Sequence, residues 1–288
     1  MNEHIIDKRC FKCFENGYKR LFEKYHTNKD YQNRFLSFLS ETINNSETSL
    51  TPEIQRNLNK QFLKMLGIDD PFLEEKKLSN SIALSLYEEW KPKVMQAKDP
   101  FNLALRLAIA GNIMDYGASS DFDIHSTIDK VLIKPFEIDH STRLKDKIEN
   151  ANTILYLGDN AGEIVFDKLL IETIGNKNVT YVVRSAPILN DVTINDAKEV
   201  GIDNVAEVIS SGYDAPSTVL SKSGTPFLNK YLSADLIISK GQGNLEGLLY
   251  ENDPRIFFIL MAKCDVIAET LKVNKGSFLV YNKEKIMK

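Results

Sequence analysis

Thr153-Ile-Leu-Tyr-Leu157, followed by Gly158-Asp159-Asn160-Ala161-Gly162-Glu163, decides how the second half of this chain is read. A short β-rich run that breaks into Gly, Asp and Asn reads as a strand ending in a turn, and a helix is expected to begin at Gly162. The same alternation recurs at Val179–Arg184, Val205–Ile209, Leu236–Ser239, Ile256–Met261 and Phe278–Tyr281, with helical stretches between. Parallel neighbours need crossover connections, and those connections are right-handed, so this rhythm predicts a parallel sheet with helices on both faces. The expected class is α/β: a Rossmann-like parallel-sheet domain over residues 151–288, preceded by an all-helical subdomain over residues 1–150.

The first half carries helical signals. Phe11, Phe14, Tyr18, Leu21, Phe22 and Tyr25 fall at the three- and four-residue spacings of one helical stripe. Thr51-Pro52-Glu53, Asp70-Pro71 and Asp99-Pro100 are start signals, each proline standing where a helix leaves an amide unpaired anyway. Helices are expected near 52–66, 71–91, 100–114 and 141–150. Trp90, before Lys91-Pro92, is expected to pack at a helix end.

Composition sets outer bounds. Hydrophobic residues at 43% and charged ones at 26% are ordinary globular values, which argue against a disordered or membrane-embedded chain. The amino terminus has charges of both signs and lacks the layout of a signal peptide, and the longest apolar runs have the length of a buried strand. A net charge of -4 offers no broad basic field for nucleic acid. Three cysteines are too few for a disulfide framework, which suits a reducing compartment. The expectation is a cytoplasmic protein without membrane or nucleic-acid partners, its oligomeric state left open.

Ligands of open parallel sheets bind beyond the carboxyl ends of the strands. There the sequence places Gly158 to Glu163, then Ser185 to Asn190-Asp191, then Lys240-Gly241-Gln242-Gly243-Asn244, then Lys263. Carboxylates and amide oxygens are hard ligands suited to Mg²⁺, Mn²⁺ or a similar ion, and two lysines nearby suit phosphate. The combination describes metal-assisted hydrolysis of a phosphate ester. Each element has a plainer alternative: an Asp-Asn pair as a turn or cap, Asp191 as a cap of the helix running through Lys198, and Asp196 as a first-turn acid. Lys240 and Lys263 could equally reach solvent along their stems. Glu163 could orient a sugar hydroxyl, take a proton from water or cap its helix.

These motifs resemble the damage-control phosphatase family, formerly a domain of unknown function. The resemblance rests on Gly158-Asp159-Asn160-Ala161-Gly162-Glu163, Asn190-Asp191-Val192-Thr193 and Lys240-Gly241-Gln242-Gly243-Asn244. It extends to Cys10-x-x-Cys13, Gly111-Asn112, Asp115-Tyr116-Gly117 and Lys263-Cys264. The Cys-x-x-Cys start places the chain with compact prokaryotic-type members rather than pantothenate-kinase fusions. The resemblance implies a metal-dependent phosphatase of small phosphorylated metabolites, such as sugar phosphates or damaged cofactor intermediates, with a helical part on an α/β domain. Asp159, Asn160 and Asp191 would bind Mn²⁺, Mg²⁺, Co²⁺ or Ni²⁺ and carry catalysis. Glu163 would contact substrate, Lys240 and Lys263 would hold phosphate, and the loop at Gly243 and Asn244 would shape the pocket. Asn112, set in an apolar helix beside Gly111, is a further substrate-side candidate.

Two competitors come from other classes. One is an S-adenosylmethionine-dependent carboxyl methyltransferase, against which the two strand-end lysines argue because they favour an anion over a cationic donor. The other is a non-enzymatic metal- or nucleotide-binding module. Cys10, Cys13 and Cys264 offer three soft ligands where structural zinc wants four, so the plainer expectation is reduced thiols clustered in the core. His4, His26, His125 and His140 show no ligand spacing.

Overall fold

Val, Ile, Leu and Phe fill both faces of the central strands because both faces are covered. The computed structural model describes residues 7–45, 50–111, 124–175 and 178–283. Seven strands form one sheet in the order β1-β7-β6-β5-β2-β3-β4. They are β1 (Ile138–Asp139), β2 (Thr153–Leu157), β3 (Asn178–Val183), β4 (Glu207–Ser210), β5 (Leu236–Lys240), β6 (Ile256–Met261) and β7 (Phe278–Asn282). Side chains alternate between two apolar layers. Ile154, Tyr156, Tyr181, Ile238, Phe257 and Ile259 enter one layer, and Leu155, Leu157, Val182, Ile237, Phe258 and Leu260 enter the other. Burying each such side chain contributes roughly 1.5–3 kcal/mol, so the sheet centre is the most strongly held part of the chain.

The connections are helical. The first layer is covered by α4 (Leu73–Gln96), α5 (Pro100–Ala110), α6 (Ile124–Ile133), α7 (Ser141–Asn150), α8 (Glu163–Ile174) and α9 (Ile194–Val200). On the opposite layer lie α10 (Thr225–Ser233), α11 (Gly241–Leu248) and α12 (Asp265–Leu271). Pairing is parallel throughout except between β6 and β7. The all-parallel expectation is thus corrected at that edge. The connection from β6 through α12 to β7 is closed at its base by paired backbone bonds, Ala262 N–H to the Ser277 carbonyl (2.9 Å) and Gly276 N–H to the Ala262 carbonyl (2.8 Å).

Secondary structure changes from helices to alternating strands and helices near residue 150, while packing divides the chain into compact units at 1–71 and 72–288. Helices α4 and α5 belong with the sheet because their apolar faces pack on α8. The first unit comprises α1 (Lys8–Lys24), α2 (Lys29–Asn44) and α3 (Thr51–Leu66) around Tyr18, Phe22, Tyr31, Phe35 and Phe62. Helix α4 runs through Pro92 to Gln96, so Trp90 lies inside it rather than at its end; Val94, fully buried, holds the turn beyond the proline. Cys13 is exposed and Cys10 partly so, which removes the buried thiol cluster: both precede the buried stripe of α1, Tyr18, Leu21 and Phe22. Among the described residues no helix is long and apolar enough to cross a membrane.

Candidate functional site

From β2 the chain proceeds outward through β3 and β4, then returns to lay β5 on the other side of β2. The carboxyl ends of β2 and β5 therefore flank the point where strand order reverses, the usual ligand crevice of an open parallel sheet. The turns after β2 and β3 are zipped together: Val192 N–H donates to the Asp159 carbonyl (2.9 Å), Ala161 N–H donates to the Asn190 carbonyl (3.0 Å), and Asn160 bridges Asp191. This ladder brings Asp159, Asn160 and Asp191 to one place. Asn160 Nδ2 donates to Asp159 Oδ2 at 3.0 Å. From the other side comes Gly241, whose φ is +76° and where a Cβ would stand 1.8 Å from Asp159 Oδ2, so any side chain there would displace the carboxylate. Gly162, also left-handed, turns the chain into α8 and donates its N–H to Asn80 Oδ1 at 2.7 Å.

Around these groups the charge is dense and dry. Arg184, following β3, donates through Nε to Asp191 Oδ2 (2.7 Å) and through Nη2 to Asn244 Oδ1 (3.0 Å), and Nη2 lies 3.9 Å from Asp159 Oδ1. Lys240, ending β5, places Nζ 2.5 Å from Glu163 Oε1, 2.5 Å from Asp167 Oδ1 and 2.7 Å from the Ala108 carbonyl. Asp159, Glu163, Asp167, Asp191, Arg184 and Lys240 are all buried. Four buried carboxylates stand against two buried cations and the half-buried Lys263, so ionising all four in a low-dielectric site is costly. The strain shows in the acidities. Burial pushes the Asp159 carboxyl well above its ordinary range, and Glu163 and Asp191 push it further against the pull of Lys263 and Arg184. Burial raises Glu163 too, although Lys240 opposes it. Burial pulls the Lys240 ammonium down, but Asp167 and Glu163 outweigh it and leave its pKa raised.

A divalent cation fits this charge balance and donor chemistry. No group of three or more His, Cys, Asp or Glu side chains suited to a metal occurs among the described residues. The donors that fit are two carboxylates, Asp159 and Asp191, with the Asn160 amide oxygen, hard ligands for an ion that keeps water in its remaining positions.

Other expected residues take distinct places. Lys263 is half-buried, its charge felt at Asp159 and Glu163, and its N–H donates to Gln242 Oε1 at 3.0 Å, tying the turn after β6 to that after β5. Asn244 is saturated: Nδ2 donates to the Gly158 carbonyl (3.0 Å) and the Lys240 carbonyl (2.8 Å), while Oδ1 accepts from Arg184 and Thr218. Gly243 and Asn244 lie in the first turn of α11 rather than in the expected loop; at Gly243 a Cβ would meet the Pro216 carbonyl at 2.3 Å, so the helix can pass that segment only as glycine. Asn112 lies outside the described residues. Its neighbour Gly111 does pack closely, since a Cβ there would be 3.0 Å from Glu163 Cα. Asp196 serves its helix, accepting from Thr193 N–H at 2.8 Å and pairing with Lys76 at 3.1 Å.

Arg184, Asp167 and Asn80 were not anticipated. The signal for the first two was an arginine ending an apolar strand and an aspartate inside Ile164-Val165-Phe166-Asp167, one helical turn after Glu163. Asn80 left none, because its partner is a backbone amide 82 residues away.

The chain matches the family described as damage-control phosphatase ARMT1-like domain over residues 6–279. It is 35% identical over 280 residues to damage-control phosphatase PH1575 of Pyrococcus horikoshii, covering 95% of this chain and 96% of that protein. A damage-control phosphatase of Archaeoglobus fulgidus is 30% identical over 243 residues, covering 82% of this chain and 84% of its own. The crystal structure of a DUF89 family protein from Pyrococcus horikoshii superposes with a TM-score of 0.86 at 33% identity, covering 97% of this chain and 99% of that one. The chain belongs to the damage-control phosphatase ARMT1-like family.

Proposed function

We propose that this protein is a divalent-metal-dependent phosphatase of small phosphorylated metabolites. The observation that carries the reading is the buried excess of carboxylates over cations around Asp159, Asn160 and Asp191 at the sheet's reversal point. Relatives named damage-control phosphatases support the phosphatase role.

In this reading Asp159, Asn160 and Asp191 hold the ion, with Arg184 fixing Asp191 and Asn244 fixing Arg184. A bound Mg²⁺, Mn²⁺, Co²⁺ or Ni²⁺ supplies Lewis acidity toward a phosphoryl oxygen and lowers the pKa of water for in-line attack. Lys263 balances charge on the phosphate, and the amino-terminal ends of α8 and α11, which start at the site, favour an anion there. Glu163, beside Asn160, contacts the substrate or orients the attacking water. Gly243 lets the first turn of α11 approach the Pro216 carbonyl.

The test is phosphate release from a panel of sugar phosphates and an aryl phosphate. Chelator-stripped protein is restored with each ion in turn, beside Asp159→Ala. Turnover that returns with metal and vanishes in the variant supports the reading. Equal activity in both proteins would expose a contaminant, and a metal-loaded protein without turnover would favour a binding module.

A further inference from the structure

We propose that Lys240 and Asp167 form a positioning pair that holds the Glu163 carboxylate, so that Lys240 does not itself meet the phosphate. This rests on the phosphatase reading.

An ammonium has three donors, and those of Lys240 reach Glu163, Asp167 and the Ala108 carbonyl with none of the side chain exposed. To meet a phosphate it would have to abandon two buried carboxylates. Asp167 is equally committed: Oδ1 accepts from Tyr156 (2.8 Å) as well as Lys240, and Oδ2 accepts from Tyr181 (2.8 Å). The two rings stack at 5.3 Å, which fixes both hydroxyls. The sequence makes room for this assembly, because at Gly158 a Cβ would fall 2.5 Å from the Tyr181 hydroxyl. Glu163 is thereby clamped, with Oε1 on Lys240 and Oε2 facing Asn160 Nδ2 at 3.5 Å. Buried ion clusters add little stability over apolar packing of the same volume, so the yield of this one is a carboxylate held in one orientation next to the ion-binding side chains. Lys263, by contrast, is partly exposed.

The full-length chain is assayed with Mn²⁺ on an aryl phosphate, and Mn²⁺ and inorganic phosphate affinities are measured by calorimetry. Asp167→Asn, which keeps the shape but can accept from only one of the two tyrosine hydroxyls while the other must turn and accept from Nδ2, should lower kcat about tenfold or more with KM within about threefold, and weaken Mn²⁺ about tenfold, the usual scale for groups that support metal ligands. Lys263→Met should weaken inorganic phosphate at least tenfold, and Lys240→Met within threefold. A folded Asp167→Asn with wild-type kcat and Mn²⁺ affinity would make the network merely structural and overturn the proposal. So would a selective loss of phosphate binding in Lys240→Met. Should Lys240→Met not fold, Asp167→Asn and Lys263→Met decide. A wild type that binds Mn²⁺ without turnover defeats the phosphatase reading alone, since Mn²⁺ and phosphate affinities still judge the pair.

Discussion

Asp159→Asn should act with opposite signs in the ion-free and ion-loaded protein. Without the ion, burial and the neighbouring carboxylates disfavour a charged Asp159, so a neutral isostere costs little and can stabilise. With Mn²⁺ at about one hundred times its Kd, wild-type protein gains about 2.7 kcal/mol by mass action. Removing a ligand carboxylate should weaken the ion at least as much as losing a supporting group, about one hundredfold. At the same concentration the variant then gains only about 0.4 kcal/mol. For a unit spanning residues 72–288, these gains correspond to a rise in Tm of about 5–11 °C in wild type against about 1–2 °C in the variant. The only tryptophan, Trp90, is buried in α4 of that unit, so its fluorescence follows the unfolding that matters. A variant that keeps the full Mn²⁺-induced rise, or a wild type with none at saturating Mn²⁺ or Mg²⁺, would refute the carboxylate-excess argument.

Gly241→Ala combines a strained positive φ with a Cβ on top of Asp159 Oδ2; it should cost about 1–3 kcal/mol and about one hundredfold in kcat, read by melting and phosphate release. Burial pushes the Glu246 carboxyl from the ordinary 4.5 up to about 7. Between those values the folded state keeps a proton that the unfolded state has released, so stability falls as pH rises through the window. Glu246→Gln should therefore stabilise about 2–3 kcal/mol more at pH 8 than at pH 5 in urea titrations, and a pH-independent difference would contradict this. Lys76→Met strands the buried Asp196 and should destabilise by roughly 3–5 kcal/mol, seen as a lower urea midpoint; a loss under about 1 kcal/mol would mean that the Thr193 cap suffices.

What the sequence disclosed and what it withheld have one physical cause. Strands β2, β5 and β6 were legible because a strand buried on both faces must be apolar throughout and must stop at residues that cannot continue it, which Gly158 and Gly241 mark. Asp159, Asn160 and Asp191 were legible as a group because a parallel sheet delivers every post-strand turn to the same edge. Partners that reach the site from elsewhere were not. Asn80 on α4 and Ala108 on α5 act across more than 80 residues of chain, and periodicity within a segment carries no information about such pairs. The antiparallel turn of β7 and the two-residue β1 escaped for a related reason: their pairing depends on backbone closure between 262 and 277 and on a neighbour already in place, not on their own composition. Lys240 shows where type and position part company. Its place after β5 was readable, and lysine beside an anion-binding turn suggests phosphate, but whether an ammonium faces solvent or two carboxylates is fixed by what α8 presents to it. Glu163 and Asp167, one turn apart on that helix, turn the strand-end lysine inward.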